Sequence, residues 1–127
     1  MNKLLGLSII ILFAFSCKKD KNEPTEDVMI RIENSSDFAY ENILVEAFGE
    51  EYSFGDLNAN QLTEYQSFSS AYRYAYIELE IDKQQYIIQP IDFFGEQELE
   101  GGFYTYIISA DTSSEIYSRL NLILRAD

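Results

Sequence analysis

The pattern that most constrains the fold is the alternation of apolar and polar side chains along short segments. From Ala71 to Asp82, residues at odd positions are mostly small or aliphatic, and those at even positions are tyrosines and acids. A period of two residues places successive side chains on opposite faces of a β-strand. No segment has a convincing apolar period of 3.6 over ten residues, so an all-β chain is predicted.

Similar segments recur along the chain and are separated by polar turns, which is typical of a sandwich or barrel. The predicted strands cover residues 28–33, 42–48, 52–55, 62–68, 71–82, 84–89, 103–108 and 116–125. Pro90 has no amide hydrogen to donate, so strand pairing is expected to end or to reach an edge there. In the last strand, Leu120, Leu122 and Leu124 are expected to face inward.

A short motif indicates which kind of sandwich to expect. The segment Glu100-Gly101-Gly102-Phe103-Tyr104 resembles the Asp-x-Gly-x-Tyr corner of immunoglobulin-like domains, with Glu100 in place of the aspartate. In that corner the tyrosine hydroxyl bonds to the backbone just upstream. The resemblance implies a single Ig-like β-sandwich of about seven to eight short antiparallel strands, here without the usual tryptophan or disulfide.

The N-terminus predicts export and lipidation. A basic Lys3, an apolar run from Leu4 to Phe15 and the small Ser16 are typical of a secretory signal peptide, and the run is too short to span a membrane. The chain's single cysteine, Cys17, follows directly and resembles the acylated residue of a lipobox, although an ordinary cysteine is the alternative. The prediction is a removed signal peptide (1–16), a lipidated, palmitate-bearing Cys17 with a polar tether (17–26), and a folded domain (27–127).

Three resemblances concern location. Lys18 after the cysteine resembles an outer-membrane sorting signal. The start from Cys17 to Glu23 resembles the charged export signals of surface-displayed lipoproteins, so the domain is expected to face the periplasm or to be exposed at the cell surface. Five later stretches are Tyr52-x-Phe54-Gly55-Asp56-Leu57, Thr63-Glu64-Tyr65, Ala71-Tyr72-Arg73-Tyr74-Ala75, Ile88-Gln89-Pro90-Ile91-Asp92 and Phe103-Tyr104-Thr105-Tyr106. They resemble small uncharacterised lipoproteins of the Bacteroidota, which implies a location and a fold but no activity.

The charge of the chain is strongly acidic, with 9 basic and 22 acidic residues. This excess disfavours binding to nucleic acid and to anionic headgroups, because both carry the same sign. It leaves open simple solubility, a basic partner, or calcium, which prefers closely spaced carboxylates. Two loops contain such acids without an EF-hand spacing: Glu50, Glu51 and Asp56 in one, and Asp92, Glu96, Glu98 and Glu100 in the other.

The sequence offers few groups for catalysis. It contains no histidine, and its one cysteine is assigned to the lipid, so the commonest general base and the thiol nucleophile are both missing. It also lacks a Gly-x-Ser-x-Gly elbow and a glycine-rich phosphate loop. We therefore expect a protein that is not an enzyme, with no cofactor and no metal site.

The candidate binding surface is aromatic. Tyr72, Tyr74 and Tyr76 share one face of the longest predicted strand, and Tyr104 and Tyr106 are expected across from them on a neighbouring strand. Such a face suits a protein partner or a sugar ring, although tyrosines also pair across strands for purely structural reasons. The sequence therefore predicts a protein-interaction or accessory module of the envelope, with a surface glycan-binding lipoprotein as the alternative.

Overall fold

The computed structural model describes residues 27–90, 96–113 and 119–127. Within these ranges the chain forms eight β-strands and no helix, as the alternation predicted. The strands are β1 (Val28–Asn34), β2 (Tyr40–Ala47), β3 (Glu50–Leu57), β4 (Gln66–Phe68), β5 (Tyr76–Ile81), β6 (Gln84–Ile88), β7 (Gly102–Ala110) and β8 (Leu120–Ala126). The end of β6 before Pro90 is the one expected from the missing amide hydrogen.

The strands form two four-stranded sheets that pack as a sandwich, which confirms the predicted fold class. Sheet A has the order β4-β1-β7-β8, and sheet B has the order β3-β2-β5-β6. The prediction that all strands are antiparallel is wrong for β1 and β7, which run parallel from Val28↔Gly102 to Asn34↔Ile108. A hairpin forces only consecutive strands to run antiparallel. The strands β1 and β7 are not consecutive, because all four strands of sheet B lie between them in the chain, so no hairpin fixes their relative direction.

The core lies between the sheets and consists of aliphatic residues together with a few aromatic rings. Both isoleucines of β1 are fully buried, as are the Ile43 and Val45 side chains of β2. The largest fully buried side chains are Tyr40, Tyr106, Phe68, Ile30, Ile32, Ile43, Ile77, Leu79 and Ile108. The alternation placed Ile77, Leu79 and Ile81 on one face of the fifth predicted strand and Leu120 and Leu122 on the inward face of the last, and all five are buried.

Two predicted strands are much shorter in the structure, and a third is described only in part. The segment before Tyr76 is irregular, and Arg73 is exposed rather than on the inward face with Ala71 and Ala75. Of residues 62–68, only Gln66–Phe68 is a strand, and residues 116–118 of the last predicted strand lie outside the described ranges. In the first segment the Ala71 carbonyl accepts a hydrogen bond from the Leu99 amide, and in the second the Thr63 amide donates one to the Ile32 carbonyl; both bonds lie outside the regular strand pairings.

The predicted tyrosine corner is present. The Tyr104 hydroxyl donates a hydrogen bond to the Glu100 carbonyl oxygen at 2.7 Å. A Cβ atom placed on Gly102, whose φ is 155°, would lie 3.8 Å from the Tyr104 ring, which is ordinary van der Waals contact. The strand order differs from that of immunoglobulin domains. There the penultimate strand lies between the third and the last strands, whereas the penultimate strand here, β7, lies between the first and the last, β1 and β8.

Candidate functional site

The hairpin between β2 and β3 presents an aromatic ring at its tip. Ala47 pairs with Glu50, so the turn consists of Phe48 and Gly49, whose φ angles are 52° and 76°. Two positive φ angles define the type I′ turn that matches the twist of a hairpin and favours Asn-Gly. A bulky side chain is uncommon in this region, because its Cβ crowds the backbone. Phe48 is nevertheless there, and it is 51% exposed.

The irregular segment before β5 is held by contacts with sheet A and the following loop. Ala71 and Ala75 are buried, and the Ala71 carbonyl accepts a hydrogen bond from the Leu99 amide at 2.8 Å. The carbonyl of Tyr72 accepts a hydrogen bond from the Tyr106 hydroxyl. These anchors fix the backbone while leaving the Tyr74 ring 45% exposed.

The hairpin tip and this segment enclose an open groove. The rings of Phe48 and Tyr72 stack with centroids 4.8 Å apart and an interplanar angle of 29°. The adjoining cavity measures about 590 Å³ and is lined by Glu46, Ala47, Phe48, Tyr72, Tyr74, Ala75, Tyr76, Gln89 and Pro90. This volume falls in the range of sites for small molecules and short chain segments. We call it the aromatic groove.

The polar groups of the aromatic groove are few. Glu46 lies directly across from Tyr76 in the β2–β5 pairing, and Gln89 contributes an exposed amide after β6. The Tyr76 hydroxyl donates to a carboxylate oxygen of Glu78 at 2.9 Å. Desolvation, with this hydrogen bond, raises the pKa of Tyr76, so the ring stays neutral at physiological pH. The groove thus offers neutral ring faces, a carboxylate and an amide, but no basic side chain among its lining residues.

The structure brings three of the five predicted tyrosines together. Tyr72, Tyr74 and Tyr76 line the aromatic groove, but Tyr104 and Tyr106 belong to β7 in the other sheet. Their expected place on a neighbouring strand is wrong, because β5 pairs with β2 and β6 only. Tyr106 is fully buried, and this burial raises the pKa of its hydroxyl. Its hydroxyl donates the hydrogen bond to the Tyr72 carbonyl that holds the backbone of the groove.

A second, more open cavity of about 540 Å³ lies beside Arg73 and Leu99, with Glu96, Glu98 and Glu100 along it. No group of three or more acidic side chains within the described ranges is arranged to hold a metal ion, and Asp92 lies outside those ranges. The same part of the chain contains no helix long and apolar enough to cross a membrane.

Three polar or aromatic lining residues were not predicted from the sequence: Phe48, Glu46 and Gln89. A signal for Phe48 was available, because a residue followed by glycine between two alternating segments predicts a two-residue hairpin. At that position an aromatic residue is unusual and must be presented to solvent at the tip. Glu46 and Gln89 gave no comparable local signal, since each is an ordinary polar residue at a strand end.

Comparisons with known proteins bear on the fold alone. No protein-family model and no curated protein matches this chain. Among solved structures, the chain is similar to an NMR structure of a protein from Eubacterium rectale, with a TM-score of 0.53 and 16% sequence identity. The similarity covers 84% of this chain and 94% of that one. It supports the sandwich architecture of the domain.

Proposed function

We propose that this protein is a non-catalytic, lipid-anchored domain of the bacterial cell envelope that binds a protein partner through the aromatic groove. The observation that carries the proposal is the convergence of Tyr72, Tyr74 and Tyr76 with Phe48 on one open cavity. Aromatic residues supply rigid apolar area at low entropic cost, and they are enriched in protein interfaces. A role limited to packing would instead bury these rings, as Tyr106 is buried.

The strained hairpin supports the same proposal. Asparagine would occupy the turn position of Phe48 at lower conformational cost. Backbone strain of this kind is frequent at ligand sites, where the exposed side chain has a use that offsets it. The Phe48 side chain is exposed enough to contact a ligand, since about half of its surface remains in water.

The groove lies at the end of the sandwich where β1 begins. Val28, the first residue of β1, pairs with Phe68, and the Phe68 ring stacks on Tyr52 at 3.7 Å. Tyr52 pairs in turn with Val45, the residue before Glu46. The proposed tether of about ten residues reaches at most about 36 Å when extended. The groove is therefore suited to a partner close to the membrane surface.

The proposed anchor is supported by the sequence. Cys17 is the chain's only cysteine and directly follows the apolar run, and the polar residues after it contain Pro24. A lipoprotein carries more than one acyl chain, and two or more chains hold a protein at the membrane stably. With no histidine in the chain, an interaction role fits better than an enzymatic one.

A second candidate, a surface glycan-binding lipoprotein, is favoured by one feature of the groove. The carboxylate of Glu46 and the amide of Gln89 flank the tyrosine rings. Such groups hydrogen-bond sugar hydroxyls while a ring covers the apolar face of the sugar.

Affinity purification from cross-linked membranes tests the proposal. The full chain is compared with its Tyr74→Ala variant and with Ile123→Ala, which removes a side chain that is 56% exposed on sheet A. We expect a specific envelope protein to co-purify with the wild type and with Ile123→Ala, and to be lost with Tyr74→Ala. Equal recovery with all three chains contradicts a role for the groove. Groove-dependent recovery of polysaccharide instead of protein favours the second candidate.

A further inference from the structure

The two sheets differ sharply in charge. The four strands of sheet B contain seven acidic residues and no lysine or arginine: Glu41, Glu46, Glu50, Glu51, Asp56, Glu78 and Glu80. The strands of sheet A contain Arg31, Glu33 and Arg125, and their arginines form ion pairs with Glu33 and Asp127. The acidic excess of the folded strands is therefore concentrated on the sheet that carries the aromatic groove.

The acidic side chains of sheet B continue from the groove along the outer face of the sheet. Glu46 lines the groove and lies opposite both Tyr76 and Glu51 on the two neighbouring strands. Glu78 and Glu80 follow along β5, alternating with its buried aliphatic residues. Like charges on directly paired positions destabilise a sheet, and a cationic occupant would remove this repulsion.

The ring faces of the groove favour the same sign of charge. The face of an aromatic ring is negative and attracts an ammonium or guanidinium group placed within about 6 Å of it. Phe48, Tyr72 and Tyr74 line the same cavity as Glu46. An anionic ligand would instead be repelled by the carboxylates of the same sheet.

Resting on the proposed function, we infer that the occupant of the aromatic groove is a basic, extended peptide segment of the partner. One arginine or lysine side chain lies against the ring faces and Glu46, and further basic residues follow the carboxylates of β5. A cavity of about 590 Å³ exceeds the size of a single ammonium group and suits several residues of a chain. Arginine fits such a site particularly well, because its planar guanidinium both stacks on rings and bonds carboxylates.

Selection of peptides from a random library tests the inference while the partner itself is unidentified. Random dodecapeptides displayed on phage are selected on the full chain, purified from membranes in detergent, and counter-selected on its Phe48→Asn variant. We expect the groove-dependent peptides to be enriched in arginine and lysine relative to the starting library. If the groove-dependent peptides are not enriched in arginine and lysine, the inference of a basic occupant is overturned, and the groove remains a protein-binding site.

The charge contribution is measured with a selected peptide. Glu46→Gln is expected to weaken its binding about two- to fivefold at low salt, the usual effect of an exposed ion pair. The matched variant Glu64→Gln removes an exposed acid that does not line the groove, and it is expected to leave binding unchanged. Added salt is expected to abolish the difference between wild type and Glu46→Gln. Equal affinity of wild type and Glu46→Gln at low salt overturns the inference.

Cellohexaose, a neutral oligosaccharide, serves as the second probe in the same assay. If cellohexaose binds the wild type but not Phe48→Asn, and no selected peptide shows this difference, the peptide assignment is overturned and the glycan-binding candidate is favoured. If neither probe shows groove-dependent binding, the inference is refuted together with the proposed use of the groove. Circular dichroism of each variant shows that it is folded.

Discussion

Replacing Phe48 by asparagine is expected to separate binding from folding. The half-buried ring contributes about 1 kcal/mol through burial, and its stack on Tyr72 contributes about 0.5–1.5 kcal/mol. Asparagine recovers about 1–2 kcal/mol, because it tolerates the positive φ of this turn position. These opposing effects leave the free energy of unfolding within about 1.5 kcal/mol of the wild type, whereas loss of an aromatic anchor weakens partner binding at least about tenfold.

Urea unfolding followed by far-UV circular dichroism measures the first quantity, since the chain has no tryptophan to report by fluorescence. Phe68→Ala is the contrasting variant, because Phe68 is fully buried and its truncation is expected to cost about 3–5 kcal/mol. A loss above about 3 kcal/mol for Phe48→Asn would refute the reasoning, since the ring would then belong to the core. Unchanged partner binding in a stable Phe48→Asn protein would equally refute it.

Further predictions concern the buried tyrosines and the anchor. Tyr106→Phe leaves the Tyr72 carbonyl without the hydroxyl that it accepts from, and a loss of about 1–3 kcal/mol is expected in urea unfolding. Burial raises the pKa of Tyr106 and of Tyr40 in the folded protein. Their contribution to the free energy of unfolding is therefore complete below the unfolded pKa of about 10, and above it each falls by up to about 1.4 kcal/mol per pH unit. Tyr106→Phe should accordingly lose less stability at alkaline pH than the wild type when urea unfolding is repeated across that range. Tyr104→Phe removes the corner hydrogen bond and is expected to cost about 0.5–1.5 kcal/mol, measured by urea unfolding. Metabolic labelling with radioactive palmitate is expected to label the wild type and not Cys17→Ser, and an unlabelled wild type would contradict lipidation.

The core and the corner could be predicted because their signals are local. A period of two fixes which side chains of a strand point inward, so Leu120 and Leu122 were assigned correctly from the alternation alone. The bond from Tyr104 to Glu100 spans only four residues, and a short motif describes it completely. The same alternation extended the fifth predicted strand back to Ala71, where the structure has an irregular segment.

The groove could not be predicted because it depends on contacts between distant residues. The strand β5 begins only at Tyr76, and the segment before it bonds to Leu99 and Tyr106. The parallel pairing of β1 with β7 is equally non-local, and it places the Tyr106 side chain beneath Tyr72 rather than beside it. Alternation carries no information about either feature, since it describes one strand at a time.

Site-specific photo-crosslinking in living cells tests most directly whether the aromatic groove is a binding site. The photoreactive residue p-benzoylphenylalanine replaces Tyr74, which lines the groove, or Ile123, a comparably exposed residue on the opposite sheet. We expect irradiation to give a discrete cross-linked species with an envelope protein from position 74 and none from position 123. No discrete species from position 74, or the same species from both positions, would contradict the account.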